Sequence, residues 1–325
     1  MRFIIYGVGA VGGSFAAALK LAGHDVIGIA RGAMLEAIRT NGLRFRIPGA
    51  DHRIDLPVFA APGDIEFRPD DVIFLTMKSQ DTAEALQALH RAGVSSQPIV
   101  CAQNGINNER LALRLFPNVY AMTVLIPADY IVPGEVACFG EPRHGICDIG
   151  RYPRGADTTS AAIAAALGAA NFAVIQMDDV MRSKHGKLLE NLINVLEAAL
   201  GGGKQAPQIH AAVRAEAETV YRAAGITDWV VIGPAEPRRV GVLGMGHVEG
   251  VDRVGGSSTQ SLTRGAGSIE TDYLNGEIVL LGRLHGVPAP LNAALCDLSR
   301  ELVETRAGAG TLTADALARR LGLPS

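Results

Sequence analysis

Cysteine is scarce: 4 in 325 residues. Cys101, Cys138, Cys147 and Cys296 stand apart, without CxxC or Cys/His spacing. That excludes a disulfide-stapled scaffold and a zinc module of recognisable type. They read as free thiols of a reducing compartment, so a cytoplasmic, metal-free protein is expected. The 8 histidines form no HExxH-like pair. No apolar run reaches the roughly 18 residues of a membrane span. The opening run, Met1 to Tyr6, is too short for a signal peptide and passes straight into glycines. Charge of one sign is also lacking. With Lys+Arg 30 against Asp+Glu 33 the net charge is −3, and no basic excess favours nucleic acid or an anionic membrane.

What is present is apolar bulk. Hydrophobic residues make up 48% and charged residues 19% of the chain, enough for a large core. The length suggests two domains, and no internal repeat is seen. Arg2 to Tyr6 is a β-branched and aromatic run suited to a buried strand. Gly7 to Gly13 is a turn, Ser14 to Ala22 a helix of small residues closed by Gly23, and Asp25 to Ala30 a second strand. Together they make a βαβ unit of about 30 residues.

Further strands are expected at 43–47, 71–77, 98–103, 119–124, 135–139, 146–150 and 172–176, with helices at 81–91, 107–115 and 158–170. The alternation predicts a mostly parallel sheet with helices on both faces. The stretch 132–150, with Pro133-Gly134 and Pro142, reads as an antiparallel hairpin that extends the sheet edge. The pattern changes near Asp178. Residues 179–200 read as one long amphipathic helix ended by Gly201-Gly202-Gly203, with further helices at 208–224, 268–286, 291–305 and 311–321. Apart from the ambiguous Trp229–Ile232, no strand pattern follows. The loop at 233–258, rich in Gly, Pro, Arg and Ser, is long enough to suggest a functional or disordered segment. The fold class expected is therefore α/β: a Rossmann-type doubly wound sheet over residues 1–177 and an all-helical domain over 178–325.

Gly7-Val8-Gly9-Ala10-Val11-Gly12 fits GxGxxG between a strand and a helix, the context that motif demands. Gly7 permits the tight turn, Gly9 the approach of a pyrophosphate, and Gly12 close packing of helix on strand. The helix-start amides would face the phosphates. At the end of the second strand an NAD enzyme usually carries a carboxylate for the ribose 2′-hydroxyl. Here the residues are Ile29-Ala30-Arg31-Gly32, and Arg31 suits a 2′-phosphate. NADP(H) is the cofactor expected. The alternative leaves Arg31 in solvent at the sheet's rim.

Other strand ends carry polar groups: Lys78-Ser79-Gln80, Asn104-Gly105 and Thr123. Ligands in open α/β sheets bind beyond such ends. Lys78 could also be an ordinary solvated lysine, and Asn104-Gly105 a plain turn. In 179–200, Lys184, Lys187, Asn191 and Asn194 are spaced to fall within an arc of about 80°. Either this is the wet face of an amphipathic helix, or it is a binding stripe, since Asn is a poor helix former for a solvent face. The spacing leaves both open.

Taken together these residues resemble the ketopantoate reductase (2-dehydropantoate 2-reductase) family along nearly the whole chain. The elements are GxGxxG at 7–12, Lys78, Gln103-Asn104-Gly105, Lys187-Leu-Leu-Glu-Asn191, Ser258, and Glu270-Thr-Asp-Tyr-Leu-Asn-Gly276 running on to His285-Gly286-Val287-Pro288. The resemblance implies reduction of ketopantoate to pantoate by NADPH, in pantothenate synthesis. The first domain would bind NADP(H) and the second would bind substrate and carry out catalysis. Lys187 would be the proton donor and Glu270 its catalytic companion, positioning substrate or balancing a lysine charge. Asn191, Asn194, Ser258 and Asn104 would bind substrate. Gly7, Gly9, Gly12, Arg31, Lys78, Asn104 and Glu270 would hold the cofactor. Glu270 also reads as a plain helix-start carboxylate. The partner implied is a small 2-oxo acid, the chain being a monomer or homodimer.

Departures cluster on the substrate side. Where the family has a second Asn, eight residues after the lysine, this chain has Val195, with Asn194 one earlier. Gln260 lies two residues beyond Ser258 instead of three, and the Arg238/Arg239 loop is unlike the family's segment. A related reductase of another 2-oxo or 3-oxo acid therefore stands as an alternative, as does an NADP(H)-sensing regulator without turnover.

Overall fold

The computed structural model describes all residues except 202–203, 205, 232–236, 264–268, 307 and 325, together with the side chains of Arg239, Ser257, Ser261 and Thr263. Two compact units form, one of Met1–Lys184 with Val231–Asp252, the other of His185–Val230 with Arg253–Ser325. In the first unit β1 (Arg2–Tyr6), α1 (Ala10–Leu21) and β2 (Asp25–Ile29) are followed by α2 (Gly32–Asn41), β3 (Leu43–Ile47), β4 (Ala50–Ile54) and β5 (Val58–Phe59). Then come β6 (Asp71–Leu75), α3 (Thr82–Arg91), β7 (Ile99–Cys101), α4 (Asn108–Leu113) and β8 (Val119–Leu125). The unit continues through β9 (Ala128–Val132), β10 (Glu135–Cys138), β11 (Gly140–Pro142), β12 (Ile146–Arg151), α5 (Thr158–Ala169) and β13 (Ala173–Gln176).

The main sheet has the order β13-β12-β8-β7-β6-β1-β2-β5. Every neighbour is parallel except β12 against β8. From β5 to β8 this is the order of the doubly wound dinucleotide folds, with its switch point between β1 and β6. The strands are apolar on both faces because helices cover both. Successive residues serve opposite cores. Phe3 and Ile5 pack with Phe15, Phe74 and Phe172, and Ile4 packs with Ile73, Leu86 and Leu89. Each such side chain contributes about 1.5–3 kcal/mol on burial. At the amino edge Arg2 donates twice to Asp71, at 2.7 and 2.8 Å, fixing the β1–β6 register where the two residues are paired.

A second sheet, β4-β3-β10-β9, lies over α1. Gly12 through Leu19 are all buried, as expected of a helix apolar on every side. At Gly13 a Cβ would come within 2.9 Å of Val136, so the small side chains let β10 approach. The region 132–150 is thus not one hairpin at the sheet edge. β9 and β10 pair with each other, and β10 with β3, in the small sheet, while β12 joins the main one. Chain-distant partners decided this, since β3 supplies the ladder that recruits both β10 and the polar strand β4.

In the second unit α6 (Val180–Asn191), which begins in the first, and α7 (Asn194–Leu200) replace the single helix expected over 179–200. At the interruption the Leu192 carbonyl accepts a hydrogen bond from Asn275 Nδ2 at 3.1 Å, and Asn275 donates to Asn292 Oδ1 at 3.0 Å. A tertiary polar contact thus takes a carbonyl that a regular helix would have used. Next is α8 (Pro207–Ala223). The 231–252 segment returns to the first unit, where β14 (Leu243–Met245) pairs with β11 and Arg238 donates to the wholly buried Asp148 at 2.8 Å. That segment, read as a loop over 233–258, is therefore built in where it is described. Trp229–Val231 form no strand, and Ile232 lies outside the described residues. α9 (Ser257–Thr263), α10 (Asn275–His285), α11 (Pro290–Glu304) and α12 (Ala314–Arg320) complete the chain. The helix expected at 268–286 is divided: a short turn spans Glu270–Tyr273, Leu274 leaves helical geometry, and α10 starts at Asn275. Residues 264–268 lie outside the described part. Among the described residues no helix is long and apolar enough to cross a membrane.

Asp157 caps α5. Its carboxylate accepts from Ser160 N at 2.8 Å, from Tyr120 Oη at 2.8 Å and from Arg151 at 3.3 Å. Burial pushes its pKa up, but these donors outweigh burial and hold it below the ordinary value. A folded-state pKa below the unfolded one stabilises at neutral pH, and that stabilisation is lost as pH falls below the usual carboxylate range. Asp157→Ala is expected to cost about 1–2 kcal/mol in urea unfolding. Asp157→Asn should retain part of the cap and flatten the acid limb of stability.

Candidate functional site

The glycine loop follows directly from β1. Gly7 has φ +106°, and a Cβ there would collide with the backbone of Met77. At Gly12 a Cβ would overlap the Gly7 carbonyl and Thr76 Oγ1. Thr76, at the end of β6, donates to the Tyr6 and Gly7 carbonyls at 3.0 and 2.9 Å. Gly9 differs, because a Cβ on it would meet nothing within 4 Å. Two of the three glycines are thus required by packing, and the third faces open space beside the start of α1. That helix has no acidic residue in its first turn and no side-chain cap, so its opening amides and dipole are offered to an anion.

A pocket of about 510 Å³ opens at the same strand ends, lined among others by Gly7, Gly9, Arg31, Lys78, Asp81 and Glu84. The volume is in the range of small-molecule sites, and the glycine cradle fits a dinucleotide's diphosphate. Arg31 stands just after β2, and its guanidinium donates to Asp81 at 2.8 Å. Asp81 immediately precedes α3 and makes no side-chain cap bond to it.

The 103–105 turn is tied from three sides. Gln103 Nε2 donates to Thr82 Oγ1 at 2.7 Å, Thr82 Oγ1 donates to Asn108 Oδ1 at 2.8 Å, and Asn108 Nδ2 donates to the Asn104 carbonyl at 3.1 Å. Lys184 Nζ donates to the Gln103 carbonyl at 2.6 Å and stands 2.8 Å from Glu109 Oε1, off the hydrogen-bond axis. Both charges are buried, at 2% and 0% exposure. The neighbouring Cys101 thiol is pushed well up, first by burial and then by Glu109. Lys184 is therefore no part of a wet helix face; it is a buried strut for the turn that carries Asn104.

In the second unit Lys187 is half-buried and Asn191 buried on α6, while Asn194 opens α7, half-buried. Asn191 is 4% exposed and its Nδ2 has no hydrogen-bond partner among the described residues. A buried donor of this kind calls for an acceptor. Val195 is wholly buried and cannot stand in for a polar contact. Ser258 on α9 and Glu270 in the 270–273 turn are both buried. Gln260 donates to the Gly255 carbonyl at 3.1 Å. Glu197, not singled out by the sequence, is raised in pKa by burial against the opposing pull of Arg253 and Lys187. A Cβ on Gly256, two residues before Ser258, would come within 2.9 Å of its Oε2.

Spacing therefore found residues on both units, but not Thr76, Asp81, Asn108, Glu109 or Glu197. The only sequence signal for Glu197 is its place ten residues beyond Lys187, continuing the Lys187, Asn191, Asn194 series. For the others the partners are set by the fold.

The strand order and the glycine loop, with a pocket at its mouth, define a Rossmann-type fold of the dinucleotide-binding kind. Comparison with known proteins narrows this. Residues 3–154 match the family described as ketopantoate reductase PanE/ApbA, and residues 179–303 match ketopantoate reductase PanE/ApbA C terminal. The chain belongs to the ketopantoate reductase family. It is 27% identical to the 2-dehydropantoate 2-reductase of Archaeoglobus fulgidus over 92% of this chain and 97% of that protein. The match to the 2-dehydropantoate 2-reductase of Aquifex aeolicus, 30% identical, spans 42% of this chain and only 43% of that protein. A PanE/ApbA family ketopantoate reductase from Ralstonia eutropha JMP134 has a TM-score of 0.76 at 29% identity, covering 94% of this chain and 99% of that one. D-mandelate dehydrogenase, solved with NADH and anilino(oxo)acetate, shares the fold, with a TM-score of 0.75 at 22% identity over 94% of this chain and 99% of that one.

Two outcomes test the geometry. Gly9→Ala should leave the thermal midpoint nearly unchanged yet weaken dinucleotide binding about tenfold or more, whereas Gly12→Ala should lower both. Lys184→Ala should cost about 3–5 kcal/mol in unfolding by stranding Glu109, and pairing Lys184→Met with Glu109→Leu should recover most of it.

Proposed function

We propose that the chain reduces 2-dehydropantoate (ketopantoate) to pantoate with NADPH. The observation that carries this reading is the glycine cradle, with room for a ligand only at Gly9, in a chain matched by the ketopantoate reductase family in both of its parts. Residues 1–177 serve as the NADP-binding domain and 178–325 as the substrate and catalytic domain, apart from the 231–252 segment, which belongs to the first compact unit. Gly7, Gly9 and Gly12 seat the diphosphate. Arg31 meets the 2′-phosphate, and Lys78 and Asn104 line the cofactor's reactive end. When bound, the nicotinamide supplies a hydride to C2 of the acid.

The chain's own residues do the rest. Lys187 Nζ gives a proton to the C2 oxygen, so that ketone, hydride and proton sum to a secondary alcohol. A lysine suits this where desolvation or a neighbouring cation lowers its pKa. Asn191, whose Nδ2 has no hydrogen-bond partner among the described residues, donates to a substrate oxygen, and Asn194 and Asn104 assist. Ser258 takes the carboxylate. Glu270 orients substrate and cofactor and balances the lysine's charge. A second reading, reduction of a different 2-oxo or 3-oxo acid, is favoured by one feature: buried Val195 where the family has an asparagine.

The test is loss of nicotinamide absorbance with NADPH and ketopantoate, run beside a panel of other oxo acids. Saturable oxidation with the highest kcat/KM for ketopantoate is expected, whereas a better panel member would favour the second reading. No turnover with any acid, NADPH binding being intact, would leave a nucleotide sensor. Lys187→Ala should lower kcat by about 10²-fold or more with NADPH binding retained.

A further inference from the structure

The cofactor pocket carries a carboxylate at the place where a 2′-phosphate needs positive charge. Arg31 and Lys78 line it, but so do Asp81 and Glu84. The Arg31 guanidinium donates to Asp81 Oδ2 at 2.8 Å, with Arg31 80% and Asp81 33% exposed. An aspartate just before a helix ordinarily accepts a bond from that helix's first amides. Asp81 does not cap α3 with its side chain; its carboxylate is turned to Arg31 instead. Meanwhile the end of β2, where dinucleotide folds place the acceptor for a ribose 2′-hydroxyl, holds Ile29-Ala30-Arg31 and no carboxylate. Asp81 comes to the same corner from beyond β6, on the other side of β1.

We propose that Asp81 sets the cofactor preference of this chain. Its carboxylate engages the arginine that would bind a 2′-phosphate, and it supplies the acceptor that a 2′-hydroxyl needs. This rests on the nicotinamide-dinucleotide reading above. A 2′-phosphate carries close to two negative charges, so binding NADPH requires Arg31 to turn from Asp81 to the phosphate while Asp81 remains nearby as a like charge. NADH leaves the Arg31–Asp81 pair intact and gives its 2′-hydroxyl proton to Asp81. The chain therefore takes both cofactors, with a narrower preference for NADPH than Arg31 alone would confer. An exposed pair holds its partners weakly, which is what allows either state.

The experiment is fluorescence titration of NADPH and NADH into the full-length wild type, Asp81→Asn, Asp81→Ser and Arg31→Ala, with thermal unfolding of each. In the wild type both cofactors should bind within about tenfold of each other. Asp81→Asn should tighten NADPH and weaken NADH, widening the ratio by about tenfold or more. Asp81→Ser, which can cap α3, should do the same in a chain at least as stable. Arg31→Ala should remove the preference for NADPH. An unchanged ratio in both Asp81 variants, or weaker NADPH binding showing that Asp81 merely aims Arg31, would overturn the inference and leave the dinucleotide reading standing. A wild type that binds neither cofactor would overturn the reading itself, and the inference with it.

Discussion

The close approach of α1 to the ends of β1 and β6 is the constraint on which the first unit depends. Gly12 lies against the Gly7 carbonyl and Thr76 Oγ1 with no space for a Cβ, and Gly7 lies equally tight on Met77. That contact aims the opening amides of α1 at the crevice between β1 and β6. It also brings the chain after β6, with Lys78 and Asp81, beside the chain after β2, with Arg31. The same helix is buried on its other side by the β3–β10 sheet, and its Ala and Gly residues leave room for this. One small-residue helix thus both fills the core and presents its opening amides at the crevice.

Around this frame, buried polar groups hold the turns that carry candidate site residues. Thr82, Asn108 and Lys184 take up the Gln103 side-chain amide nitrogen and the Gln103 and Asn104 carbonyls of the 103–105 turn. In the second unit Asn275 and Asn292 tie the break between α6 and α7 to α8 and α11, and Glu216 accepts from Leu291 N and Asn292 N, each at 2.9 Å. These networks stabilise little beyond their own desolvation, but each fixes one backbone arrangement where an apolar substitute would permit several. Buried Asn191 has an amide nitrogen without a hydrogen-bond partner among the described residues.

Local chemistry determined much from the sequence by itself. The run Arg2–Tyr6, GxGxxG and the small-residue helix after it have one compatible structure, because glycine at 7 and 12 answers a backbone conformation and a contact that admit no side chain. Short β-branched and aromatic runs such as Val72–Leu75 suit strands buried on both faces. The Lys187-Leu-Leu-Glu-Asn191 stretch, together with the Glu270–Gly276 segment, marked the family. Tertiary structure alone decided which partners meet across long separations. β10 chose β3 over an edge of the main sheet because both pack on α1. The helix at 179–200 broke because a side chain more than eighty residues on competes for its Leu192 carbonyl. Lys184, left open between a wet face and a binding stripe by its spacing, is a buried strut because Glu109 and the Gln103 carbonyl lie where its ammonium ends. Arg31 faces a carboxylate because β6 emerges beside β1, a neighbourhood that no periodicity in a single stretch of chain encodes.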